Sequence, residues 1–327
     1  MQPKWTITNN LNLSGQFSYR LNSDVYKQNR DNFYFFDYYS KQLVQTWTVQ
    51  RNSYSDKRDT YLYASGALDY TKRLDKHYIF ALGGFSVERF NEGYWDMSAL
   101  ASAYTKVNYS YDDRYLAEVA FRADGSSKFG PNKKWGYFPS VALGWNIHNE
   151  DFFQVDAINN LKIRASYGHL GNENIGYYQY QNLISATNGT ESAWGNPDIS
   201  WEKVRITDLG FDLSIFNNKF SLTFDYYDKL TTDMLMLPRV PPSGALGSVR
   251  LNAGKISNKG VEAQITYNEQ INPNLSFSIR PGITYNKNEI LELAGGVFGE
   301  SGIVRQREGY ALGSYFGYVS MIFLHSV

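Results

Sequence analysis

The 327-residue chain carries 32 basic and 32 acidic side chains, and this zero net charge leaves no footprint for nucleic acid or for polybasic membrane contact. It has no cysteine, which excludes disulfides, zinc–thiolate centres and cysteine nucleophiles. No run approaches the roughly 18 apolar residues of a membrane-crossing helix, yet 27 tyrosines and 20 phenylalanines far exceed ordinary globular usage.

In chain order, apolar and polar residues alternate in short runs with the two-residue period of strands. Residues 5–20 form the first, with Leu11, Leu13, Gly15, Phe17 and Tyr19 on one face. A long polar stretch, 21–58, holds the aromatic patch FYFFDYY at 33–39. Strands are predicted at 61–70 and 78–90, joined by a charged turn at 74–77, then at 99–111 after a brief loop at 91–97. Asp112-Asp113 turns the chain into 114–124, where Tyr115, Ala117, Val119, Phe121 and Ala123 oppose Arg114, Glu118, Arg122 and Asp124. A loop over 124–136 leads to a strand at 137–147. Leu161, Ile163, Ala165 and Tyr167 then alternate with Lys162, Arg164 and Ser166 over 160–169. A second long loop, 170–200, precedes 209–215 and 220–226, which Asn217-Asn218 joins as a hairpin. A third, about 230–258, carries Pro238, Pro241 and Pro242. Strands at 261–267 and 275–286 flank Asn272-Pro273-Asn274 and bring the count to about eleven, with no convincing helix.

Composition fits both an outer-membrane barrel and a secreted all-β glycan-binding protein; the connections separate them. Tight turns at 74–77, 112–113, 217–218 and 271–274 alternate with extended loops, and only 149–159 is intermediate. Transmembrane barrels sort their loops this way, short on the periplasmic side and long outside. Glu118, Arg122, Lys162, Arg164, Asp212, Asp225 and Glu262 all fall opposite the aromatic face. On the lipid face, a mid-bilayer Lys or Arg would cost about 2–4 kcal/mol. The expected fold is therefore all-β, an antiparallel transmembrane β-barrel with those seven charges facing the lumen and Tyr115, Val119 and Phe121 facing lipid.

Metal-ligand spacing, phosphate loops and nucleophile elbows are absent from the sequence, so no catalytic residue, metal or cofactor is expected. Asp112-Asp113 suits a turn better than a catalytic pair. Ligand candidates are loop aromatics with polar neighbours: Trp194, Asn196 and Asp198 in the second long loop, and Tyr34, Tyr38 and Tyr39 in the first. Such rings can stack on sugar faces while amides and carboxylates meet hydroxyls; girdle or loop packing is the alternative for each.

Several segments carry a family resemblance: RADGSSKFG at 122–130, WGYFPSVALGW at 135–145, EDFF at 150–153 and LKIRASYGHLGN at 161–172. Trp201-Glu202, FDYYDKLTTDML at 224–235, NAGKISNKGVE at 252–262 and GSYFGY at 313–318 continue it. Over about 100–320 the chain resembles the SusC/RagA type of TonB-linked outer-membrane protein, and the first hundred residues match in style. The resemblance implies a barrel of about 22 strands whose lumen a plug domain fills. It also implies import of oligosaccharides or peptides across the outer membrane of a Gram-negative bacterium. The implied partners are a SusD-like lipoprotein lid and, through an N-terminal part, the TonB complex. A siderophore or vitamin receptor is the alternative within transporters.

Against that pattern, residues 1–327 read as part of one barrel domain, with the plug and the C-terminal closing strands absent. The N-terminal MQPKWTITNN lacks the apolar centre of a secretory leader, and YVSMIFLHSV at 318–327 drifts from the family. An open sheet edge in lipid is costly, so an incomplete barrel, not functional alone, is expected.

Overall fold

The computed structural model describes residues 2–28, 32–47, 53–93, 95–237, 249–293, 298–301 and 304–317. Pro238, Pro241, Pro242 and the tail from 318 lie outside the described residues. One antiparallel sheet of 13 strands dominates. In chain order its strands are β1 (Lys4–Thr8), β2 (Leu11–Gln28), β3 (Ser53–Leu74), β4 (His77–Glu92), β5 (Asp96–Tyr111), β6 (Tyr115–Ser126) and β7 (Trp135–Asn146). They continue as β8 (Ile158–Asn172), β9 (Glu202–Ile215), β10 (Phe220–Thr232), β11 (Gly254–Asn272), β12 (Leu275–Ile279) and β13 (Gly282–Leu293). Each strand to β12 pairs with the next, and β13 also pairs with β11. Among the described residues the sheet does not close on itself, and no helix is long and apolar enough to cross a membrane.

Directly opposed residues share a face, so the register settles how side chains segregate. Tyr115 pairs with Tyr111 and Trp145, Val119 with Val107 and Val141, and Phe121 with Thr105 and Pro139. Phe211 pairs with Ile163 and Phe224. All belong to one aromatic, largely exposed face. The opposite face carries Lys106, Glu118, Arg122, Lys162, Arg164, Asp208, Asp212, Asp225 and Glu262. The predicted alternation is therefore present strand by strand.

Strand ends differ from expectation. Residues 5–20 are two strands, because Asn9-Asn10 reverses the chain between Thr8 and Leu11. Residues 275–286 break at Arg280-Pro281, where proline has no N–H for the ladder. Elsewhere strands outrun the prediction: β2 reaches Gln28 and β3 starts at Ser53, in 18 consecutive pairs. FYFFDYY, expected in a polar loop, builds its own hairpin from Phe33–Phe36 and Leu43–Trp47. The connection between β4 and β5 shrinks to residues 93–95, so its length no longer marks its side.

The tight turns at Asp75, at 112–113 and at 216–218 use left-handed backbone. Asp112 and Asp113 have φ of 54° and 52°, and Tyr111 O accepts from Arg114 N at 2.9 Å. Two positive φ values match the right-handed strand twist in a two-residue hairpin. Ion pairs of Lys76 and Arg114 with Asp112, and of Arg73 with Asp113, hold that turn.

The buried apolar core sits above the sheet, at its long-loop end, rather than between layers. Phe129, Phe138, Ile175, Ile199 and Trp201 form its largest cluster. Ile256, Ile290 and Leu293 form a smaller one, backed by Met234 and Met236.

Candidate functional site

On the charged face, Arg164 of β8 is the centre of an ion cluster spanning three strands. It pairs with Asp208 at 3.4 Å and Asp212 at 3.2 Å on β9, and with Asp225 on β10 at 2.5 Å. Reaching β10 means crossing β9, and Gly210 permits it. That glycine is the direct partner of both Arg164 and Asp225, and a Cβ there would lie 2.8 Å from the Arg164 guanidinium carbon. Glu262 pairs directly with Asp225 in the register. Lys162 shares this face beside Asp212 and borders a cavity of about 420 Å³ with Arg164 and Asp208.

Two further ion pairs lie toward the long-loop end. Lys106 meets Glu118 at 2.7 Å, and Arg122 meets Asp124 at 2.8 Å while donating to the Ser102 hydroxyl at 2.9 Å. They border a cavity of about 640 Å³ whose walls include the Tyr104 and Phe138 rings and the Ser140 and Ser166 hydroxyls. The β7–β8 ladder stops at Ser140–Gly168, next to Pro139. Above that point the strands part, and Phe138 fills the space beside Gly136 and Gly171.

Residues 173–201 fold over this region and tie four connections together. Trp201 packs on Phe129 and Phe138 at ring distances of 5.2 and 5.5 Å, and its indole N–H donates to Lys134 O at 2.8 Å. The Asn252 amide exchanges two 2.8 Å bonds with the Ser200 backbone. Farther along, the Tyr177 hydroxyl donates to Glu92, which also accepts from Lys57 at 2.7 Å, and the Tyr178 hydroxyl donates to Trp95 O. The Lys57 ammonium and then the Tyr177 hydroxyl hold Glu92 below the usual carboxylate range. Burial, then Glu92, pushes Tyr177 up to about 12. Phe138 and Gly136 belong to the charged face, so this strap lies on that side of the sheet.

The candidate ligand residues separate into two settings. Trp194 is part-exposed and donates from its indole to Glu191 at 3.0 Å. Asn196 donates to Arg250 O at 3.0 Å and accepts from Asp198 N at 3.0 Å, which fixes the strap turn and leaves the Asp198 carboxylate at the surface. Tyr34, Tyr38 and Tyr39 stand on the separate hairpin, where Tyr38 and Tyr39 are 76% and 90% exposed and meet edge to face at 5.2 Å. The Lys41 ammonium lies 4.5 Å above the Tyr38 ring. No signal of period or spacing marked Phe129, Ile199 or Tyr104, which the folded loops and cross-strand pairing bring into the site.

The thirteen-strand antiparallel sheet is that of a known family. The family model described as TonB dependent receptor-like, beta-barrel matches residues 2–318. The chain belongs to that family. It is therefore a β-barrel protein of the Gram-negative outer membrane. This receptor chain is 33% identical over 285 residues to TonB-dependent receptor P39 of Formosa agariphila, covering 76% of the chain and 28% of the relative. It is 30% identical over 224 residues to TonB-dependent receptor SusC of Bacteroides thetaiotaomicron, covering 64% and 22%. Among solved structures, the RagAB peptide importer in its closed-closed state has a TM-score of 0.80 at 23% identity, over 94% of this chain and 38% of that one. The siderophore receptor PiuA of Acinetobacter baumannii has 0.56 at 13%, over 95% and 49%. The chain thus spans under a third of the curated relatives' length, and both structural likenesses concern the fold.

Proposed function

We propose that this receptor chain forms part of the wall of an outer-membrane importer for oligosaccharides or peptides, energised through the TonB complex and capped by a SusD-like lipoprotein. The carrying observation is the segregated sheet: an aromatic face suited to lipid and a charged face roofed by the strap. In this reading Glu118, Arg122, Lys162, Arg164, Asp212, Asp225 and Glu262 face the lumen. The paired charges offer donors and acceptors to a passing polar oligomer without leaving an isolated charge. Tyr34, Tyr38 and Tyr39 offer rings at the mouth, and Trp194 with Asp198 offers a second contact on the strap. The work is binding and passage, with no bond made or broken. The fold shared with the RagAB peptide importer suits the peptide class, and the oligosaccharide class follows from the motif resemblance to the SusC/RagA type.

The test is uptake of labelled oligosaccharides and labelled peptides by cells that carry or lack the protein at its natural length. Uptake that depends on the protein and collapses with a proton uncoupler is expected for one class. Rescue of growth on an iron–siderophore complex, with neither oligomer taken up, would overturn the reading in favour of a siderophore receptor.

A further inference from the structure

The strap at 173–201 is held in two chemically different ways. Its root is apolar: Ile175, Ile199 and Trp201 are buried with Phe129 and Phe138, and Tyr180 packs against them. Between Ile175 and Tyr180 the chain projects a short tip, and hydroxyl groups hold that tip. Tyr177 donates to Glu92 at 3.2 Å, and Tyr178 donates to the main-chain oxygen of Trp95. Both acceptors sit beside water, with Trp95 86% exposed and the Glu92 side chain 38% exposed. Water can replace either partner, so each bond favours the closed arrangement by only a modest factor. Tyr178 also has a φ of 58°, which is strained for a bulky side chain. Freeing the tip relieves that strain and brings the open and closed arrangements closer in energy.

The tip reaches across several strands. The strap leaves β8 at Asn172, whereas Glu92 and Trp95 lie at the β4–β5 turn, so it crosses β7, β6 and β5. Those strands, together with β8, wall the cavity of about 640 Å³ through Tyr104, Arg122, Phe138 and Ser166. Phe138 belongs both to that wall and to the strap root. The catch itself is fastened to the sheet: Glu92 pairs with Lys57 of β3 at 2.7 Å, and Asp59 of β3 accepts from Gly93 N at 3.0 Å. With the tip fastened, the strap closes the long-loop end of the cavity. With the tip free, that end opens while the root stays in place.

We infer that Tyr177 and Tyr178 are a releasable latch, and that the strap tip is a lid that admits cargo to the cavity beneath it. A polar oligomer carries acceptors of the same kind as the Glu92 carboxylate and the Trp95 carbonyl, so its arrival at the rim can exchange for them. The nature of the cargo rests on the importer reading; the latch does not.

The test uses the protein at its natural length in lipid nanodiscs, where both rims are accessible. Tyr177→Phe combined with Tyr178→Phe removes both hydroxyls, keeps both rings and preserves two chymotrypsin sites. Local cleavage reads the population of the open form. Cleavage at 177–178 should be about tenfold faster in this variant, the factor expected for losing the two bonds to water-accessible acceptors. Cleavage after Trp201, in the root, should keep its wild-type rate. Glu92→Gln retains an oxygen acceptor but loses the charge, and should give a smaller rise of about threefold. Access to the cavity is read with Ser166→Cys, followed on its own peptide during reaction with a bulky water-soluble maleimide. Adding the two tyrosine changes should speed that reaction by the same factor as the cleavage. Faster cleavage without faster labelling overturns the lid. Equal acceleration at Trp201, or none at 177–178, overturns the latch. Uptake is measured separately, so failure here leaves the importer reading standing.

Discussion

The two regions that crown the sheet are opposites. The strap at 173–201 buries Ile175, Ile199 and Trp201 against Phe129 and Phe138 of neighbouring segments. The Phe33–Phe36/Leu43–Trp47 hairpin hides almost nothing, with Phe33, Tyr34, Phe35, Phe36, Val44 and Trp47 all exposed. An isolated two-stranded hairpin is marginal in water, and a contiguous exposed apolar patch marks an interaction surface. Aromatic side chains therefore serve two ends: beneath the strap they hold shape, and on the hairpin they are available for contact.

The largest expected effect breaks the strap. Trp201→Ala removes a buried ring and its bond to Lys134, at a cost of about 3–5 kcal/mol. Hydrogen exchange should show 173–201 and 127–134 losing protection while β2–β5 keep theirs. Gly210→Ala comes next, at about 1–2 kcal/mol, because it obstructs the Arg164–Asp225 reach in a part-exposed cluster. The thermal unfolding midpoint should fall, yet chymotrypsin cleavage of strap and hairpin, both of which carry tyrosines, should be unchanged. A third test uses pH. Because Glu92 is held below its ordinary 4.5, its contribution is present above that value and lost as pH falls through the lower folded one. Because Tyr177 is raised from 10.0 to about 12, its contribution is present below pH 10 and lost as pH rises through 12. Proteolysis of the strap should therefore accelerate at both extremes, with the hairpin cleaved at a steadier rate. The smallest effect on stability belongs to Tyr38→Ala with Tyr39→Ala, within about 0.5 kcal/mol. Binding of the imported oligomer should nonetheless weaken; a stability loss comparable to Trp201→Ala would erase the contrast between the two regions.

How much of this was legible follows from where water lies. Alternation is enforced only where the two faces meet different media, so β6, β8, β9 and β10 could be read over their apolar stretch. Above it both faces are wet, the pattern fades, and the backbone ladder continues unseen, as in β2 beyond Arg20. Asn9-Asn10 carried a turn signal like that of Asn217-Asn218, but apolar residues continued in step on both sides and masked it. The seven charges could be assigned to one face because period 2 fixes it. The reach of Arg164 to Asp225 could not, because it depends on Gly210 in a strand 46 residues away in sequence (210 − 164). The strap was unreadable for a related reason: its core is assembled from loops, where no period exists. Motifs at 122–130 and 135–145 pointed to the region without revealing that Phe129 and Phe138 meet Trp201.

Gly210 has one more consequence, for assembly. A guanidinium on β8 that closes on β10 checks two ladders at once. A one-residue slip of either β8 on β9 or β9 on β10 would send Arg164 or its carboxylates to the opposite face, among lipid-compatible side chains. The wrong register would place an unpaired charge among apolar side chains, so a slipped alignment is energetically penalised. The cluster thus favours one alignment of β8, β9 and β10 besides pairing its own charges.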